Sequence, residues 1–179
     1  MGALARAGES RAQEGPAEAT EQAKQYLTFS VSGESFAIAI SAIKEIIEYR
    51  APTDVPMMPP FIRGVINLRG RVVPVVDLSV RFGRSPMEVV RRTCIVILEI
   101  HEGDERQEIG AVVDAVSAVV DIPAADIEPP PQFGARLRAD FIGGMGRLAE
   151  KFVIILNVDR VLSVEELATL GGMVENAPV

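Results

Sequence analysis

The sequence predicts an all-β protein of small-barrel type, closed by one short helix. Three observations carry that prediction. Apolar residues come in short alternating or continuous blocks, each bounded by Gly- or Pro-rich turns. At least seven such blocks follow one another along the chain. A capped 3.6-residue period appears only after Ser163. With 179 residues, 48% of them hydrophobic, the chain can bury one domain or two small subdomains sharing a core.

Residues 1–24 hold almost nothing to bury and are expected to form a disordered leader. Two strand-like blocks, QYLTFSV and SFAIAI, flank the turn SGE and predict a first hairpin. In SAIKEIIEYR the pattern suits a short turn and then a strand. PTDVPMMPP has four prolines in nine residues, which forbids a regular ladder and predicts a stiff surface connection. GVINLRG and RVVPVVDL form a second hairpin around Arg69, Gly70 and Arg71, with Gly70 taking a positive φ. Pro74 assigns its strand to an edge or a bulge. TCIVILEI and IGAVVDAVSAVVDI make a third hairpin across a polar loop. Pro129, Pro130 and Pro131 break the chain before two strands around AEK. Ser163 and Glu166 form a capping box and Gly171 a stop, so a helix is expected over 163–170, followed by a disordered tail over 171–179.

Charge and side-chain chemistry exclude most functional classes. The formal net charge is −7, with no dense basic face for nucleic acid. The lone Cys94 lies in an apolar run, so it suits a core strand better than a nucleophile, and no intrachain disulfide can form. His101 sits in a polar loop without converging partners, and GGMG at 143–146 lacks the Lys and the following helix of a phosphate loop. Asp77, Asp114, Asp121 and Asp159 stand singly at strand ends, where they read as turn and helix caps rather than as metal ligands. No catalytic residue, metal or cofactor is assigned. No window holds the roughly 18 apolar residues of a membrane span, and a cytoplasmic location is expected. The arginines of FIRGVINLRGRVVPVVDL then pose a choice. A guanidinium on a rigid hairpin corner can anchor a partner's carboxylate or carbonyl, or it can bond groups of its own fold.

PPFIRGVINLRGRVVPVVDL resembles the central signature of the CheW family of chemotaxis coupling proteins. The likeness extends through FSVSGESFAIAISAIKEII, GAVVDAVSAVVDI, IEPPPQF and FIGGMGRLAEKFVIILNVDRVL, in register. The resemblance implies two SH3-like five-stranded β-barrels packed side by side. The first is expected over about 25–90 and the second over 91–162, with terminal strands open to exchange, inside a domain spanning 25–170. It also implies a non-catalytic adaptor in chemosensory signal transduction. Its expected partners are the regulatory domain of the histidine kinase CheA and the cytoplasmic tips of methyl-accepting chemotaxis receptors, so that membranes are reached only through receptors. By the same resemblance Asn67, Leu68, Arg69 and Gly70 form the coupling corner, and Glu45 is a second candidate for that surface. Gly64 marks close packing of a partner backbone, and Val112, Asp114 and Val116 fall on a family run whose valines can equally be core. An alternative within the fold is a CheA-regulatory-domain-like or CheV-like module, disfavoured because no kinase core or receiver flanks the domain.

Overall fold

The computed structural model describes residues 24–102, 104–130 and 137–162. The expected leader up to residue 23, the helix over 163–170 and the tail over 171–179 lie outside the described residues. Among the described residues there are eleven strands: β1 (Lys24–Val31), β2 (Glu34–Ala39), β3 (Ile43–Glu48), β4 (Ile62–Leu68), β5 (Arg71–Asp77), β6 (Cys94–Glu102), β7 (Glu105–Val113), β8 (Ala115–Ile122), β9 (Ile127–Glu128), β10 (Ile142–Leu148) and β11 (Lys151–Leu156). Two single-turn helices, α1 (Leu78–Arg81) and α2 (Val158–Val161), follow β5 and β11. No helix among the described residues is long and apolar enough to cross a membrane.

The strands form two sheets. One has the order β3-β6-β7-β5-β4, and the other β8-β1-β2-β11-β10-β9. This departs from a split near residue 90 by an exchange of strands, which the expectation left open for the terminal ones. The first hairpin, β1–β2, belongs with β8 to β11, while β6–β7 complete the sheet of β3 to β5. The apolar run 109–122 is accordingly two strands in different sheets, separated at Asp114, whose amide donates to the Ser30 carbonyl at 2.8 Å.

Behind this lies a repeat that sequence reading passed over. Phe61, Ile62, Gly64 and Leu68 recur at a constant offset of 80 positions as Phe141, Ile142, Gly144 and Leu148. The structure repeats with them. Both β4–β5 and β10–β11 shift register just after the Ile, between Ile62 and Gly64 and between Ile142 and Gly144. Asp77 donates its amide to the Phe61 carbonyl at 2.7 Å, and Asn157 does the same to Phe141 at 2.8 Å. Each residue then stands at the N-cap position of a helical turn, where the Asp77 side chain accepts two amides and that of Asn157 accepts none. The chain is thus two successive units, β1–β5–α1 and β6–β11–α2, and each lends its leading hairpin to the other's barrel. Four seams join the units: β1–β8 and β3–β6 antiparallel, β2–β11 and β5–β7 parallel.

Burial follows from the exchange. Tyr26 and Ala37 pack with Ile122, Val153 and Ile155 inside one barrel. The alternate residues Leu27, Phe29, Val31, Phe36 and Ile38 face the large cluster that fills the other barrel and the space between the two. An aromatic chain, Phe29–Phe36–Phe82–Phe141, crosses that space with ring centroids 5.1 to 6.3 Å apart, within the range of favourable aromatic pairing.

Pro74 is not on an edge strand, because β5 is flanked by β4 and β7, although the β4–β5 pair carries a register shift between Ile62 and Gly64. It is tolerated because the parallel ladder to β7 begins one residue later, at Val75. Gly64 needs its missing side chain for an internal reason: a Cβ there would lie 2.2 Å from the Thr53 carbonyl oxygen, and φ is +143°. The backbone it admits is the chain's own, where Thr53 and Val65 exchange hydrogen bonds of 2.8 and 2.9 Å beside the β4 edge. The close approach read from sequence as a partner's is therefore intramolecular.

Gly64 and Gly70 should separate clearly on substitution. Gly70 has φ +84° and open space around its Cβ position, so Gly70→Ala should cost only backbone strain of about 1 kcal/mol. Gly64→Ala adds to strain of about 1–3 kcal/mol an overpacking cost of similar size. Denaturant unfolding of both variants should rank Gly64→Ala as clearly the more destabilised; equal losses would contradict the Thr53 contact.

Candidate functional site

The arginines of the β4–β5 hairpin divide by depth. Arg63 turns inward. Its Nε and Nη2 donate to Asp77 Oδ2 at 3.0 and 2.9 Å, and Nη2 also reaches the Met87 carbonyl at 2.6 Å. Asp77, 1% exposed, further accepts from the amides of Ser79, Val80 and Met87. Every lone-pair direction of this buried carboxylate is thereby occupied, which is the condition for burying a charge without a large penalty. The capping role read from sequence for Asp77 is one part of its bonding. The Arg63 bond has no local sequence signal, since its partner lies across the hairpin.

Arg69 turns outward at the tip. The hairpin connection is the two residues Arg69 and Gly70, with φ of +53° and +84°, and Leu68 pairs with Arg71 across it. Positive φ at both central positions is the geometry of a type I′ turn, whose twist matches that of the flanking strands. Sequence reading gave positive φ to Gly70 alone. Asn67 holds the turn by accepting the Gly70 amide on Oδ1 at 2.9 Å, and Arg50 bonds the Asn67 carbonyl at 3.0 Å.

Glu45 and Arg69, assigned to the coupling surface separately, meet here. Arg69 Nη2 donates to Glu45 Oε1 at 2.9 Å and Nη1 to Oε2, a two-bond fork between guanidinium and carboxylate. Arg69 remains 63% exposed. Its hydrogen bonds, with its charge adding to them, hold the Glu45 carboxyl below its ordinary value of 4.5, while the carboxylate raises the Arg69 value. Beside the fork, Arg71 bonds Glu108 at 2.8 Å; Ile46 on β3 and Val72 on β5 are exposed apolar residues, Ile46 on the strand face opposite Glu45. Exposed arginines held in a fixed geometry are a recurring feature of partner-binding surfaces.

The other candidates lie elsewhere. Leu68 is buried at 5% exposure and anchors the turn from below, and Val112 is fully buried in β7, so it is core. Val116 is half-buried against the main cluster, and Asp114 accepts the Gly33 amide at 3.4 Å where the chain crosses between barrels. Neither touches the β4–β5 tip. Burial pushes the Cys94 thiol up, in keeping with a core strand. The repeat adds a contrast. Ala149 occupies the position of Arg69, with φ of +56°, but Glu150 in the place of Gly70 has no positive φ, so the other barrel's tip lacks both the fork and the type I′ backbone.

Comparison with known proteins places this geometry. A CheW-like domain model matches residues 25–166. The chain belongs to the CheW-like family. A chemotaxis protein CheW of Klebsiella aerogenes is 32% identical over 153 residues, covering 86% of this chain and 90% of that protein. Protein FrzA of Myxococcus xanthus is 27% identical over 142 residues, covering 78% and 85%. The crystal structure of the scaffolding protein TtCheW from Thermoanaerobacter tengcongensis superposes with a TM-score of 0.72 at 33% identity, covering 80% of this chain and 90% of that one. The two-barrel CheW-like fold and a scaffold role in chemotaxis thus come with family membership.

The fork makes a pH prediction. A carboxyl whose folded value is depressed keeps its contact above the unfolded value and loses it as pH falls through the folded one. In a carboxyl NMR titration, Glu45 should therefore titrate below 4.5, and Arg69→Gln should return it toward that value. An identical midpoint in both proteins would show that the fork does not persist in solution.

Proposed function

We propose that this protein is a non-catalytic adaptor that joins the cytoplasmic tips of methyl-accepting chemoreceptors to the regulatory domain of the histidine kinase CheA, with the β4–β5 tip as coupling surface. The observation that supports this reading is the exposed Glu45–Arg69 fork on a rigid two-residue turn. An exposed ion pair adds little net stability, because water and salt compete with it. It does fix the rotamer of a long side chain, so a partner carboxylate or carbonyl meets a donor array already aimed. Within this proposal Asn67 and Gly70 shape the turn, Leu68 seats it in the core, Gly64 acts through the β4 backbone, and Val112 and Val116 act from within the packing.

Two variants separate recognition from architecture. Arg69→Glu should stay folded, since the residue is exposed, and should lose both co-sedimentation with receptor-bearing membranes and receptor-dependent CheA autophosphorylation by tenfold or more, as for a central anchor (about 1.4 kcal/mol per tenfold). The charge swap Glu45→Arg with Arg69→Glu restores an internal pair with reversed polarity. It should remain defective if partners read the guanidinium at position 69. Full activity of the swap would reduce the fork to an internal strut, and full activity of Arg69→Glu alone would place the coupling surface elsewhere.

A further inference from the structure

The exchange between repeats has a consequence for a second copy of this chain. The first unit ends at α1, and the chain then runs through residues 83–93 to β6. Most of that connection is tied to the first unit. Arg84 donates its amide to Ser79 at 2.9 Å. Met87 donates its own to Asp77 at 3.0 Å and receives Arg63 on its carbonyl. Tyr49 donates its amide to the Thr93 carbonyl at 3.3 Å. Between these anchors Glu88 to Arg92 are exposed. The chain reverses there in a single turn, closed by the Thr93 amide on the Val90 carbonyl at 3.1 Å and the Val90 amide on Thr93 Oγ1 at 2.8 Å.

We propose that a second copy of this chain can supply the complementary unit by opening that one turn, giving an exchanged dimer of four complete barrels. All four inter-unit seams and the aromatic chain are regenerated between copies, so closed monomer and exchanged dimer differ only at residues 90–93 and in the entropy of association. A short connection sets an effective concentration in the roughly millimolar range. The monomer therefore prevails in dilute solution, and exchange becomes competitive where the chain is crowded. Unlike an adhesive surface contact, this dimer requires unfolding to form and to dissolve.

The test uses the full chain carrying two different affinity tags. Copies unfolded together in denaturant and refolded near millimolar concentration should yield a doubly tagged species of twice the monomer mass, strand-rich by circular dichroism, that survives dilution for hours. Copies mixed after folding should yield none over minutes. Arg92→Pro places proline at the third position of the turn, where it disfavours a type I geometry, and should raise the dimer fraction several-fold. Absence of the doubly tagged species at every refolding concentration overturns the proposal, and so does its equal appearance on mixing native chains, which would mean surface association. Should Arg92→Pro fail to fold, the unsubstituted chain decides alone.

Discussion

The constraint on which the rest of the structure depends is that the β1–β2 hairpin is buried on both faces. Tyr26 and Ala37 fill one barrel, while Leu27, Phe29, Val31, Phe36 and Ile38 fill the space toward the other. A two-stranded ribbon alone in water is marginally stable at best, so this hairpin depends on its neighbours. It is held by β8 on one edge and β11 on the other, both from the second unit. The reciprocal hairpin, β6–β7, sits in the same way between β3 and β5. Neither barrel is complete without strands from both ends of the chain.

That architecture explains how a small exposed site becomes rigid. The tip bearing Arg69 grows out of β4 and β5. Its base is locked by the Arg63–Asp77 bond and by the Thr53 backbone lying against Gly64. Asp77 also starts α1, and α1 delivers Phe82 into the aromatic chain between the barrels. One carboxylate thus ties the coupling hairpin to the packing of the whole molecule. Removing it would leave the half-buried Arg63 guanidinium with the Met87 carbonyl alone and three amides short of a partner, a costly defect beside a core. The surface fork, by contrast, contributes little to folding and is free to be spent on recognition.

Much of this was legible in the sequence, for identifiable reasons. Alternating blocks and glycine turns give strands and hairpins directly, because side-chain period and turn chemistry are local. Barrel membership is not local. The run from Ile109 to Ile122 reads as one strand, and only the long-range seams to β5, β6 and β1 reveal that it changes sheet at Asp114. Of the two readings of Pro74, edge or bulge, the edge failed likewise, since it turned on where a parallel ladder with β7 begins. At the site, residue types singled out Glu45 and Arg69, while their mutual contact and the Arg63–Asp77 bond depended on tertiary placement. The 80-residue offset was present in the sequence all along, and it would have paired the hairpins and distinguished the Arg69 tip from its Ala149 counterpart.

The central claim is that the two barrels form one cooperative unit because each is closed by the other's hairpin. Native-state hydrogen exchange in low denaturant tests it most directly. The slowest amides of β1 and β2, at Leu27, Phe29, Phe36 and Ile38, and those of β6 and β7, at Ile95, Ile97, Ile109 and Ala111, should open with one common free energy and one denaturant dependence. If one barrel's amides exchange through a distinct, smaller opening while the other's stay protected, the barrels are independent and the account is wrong.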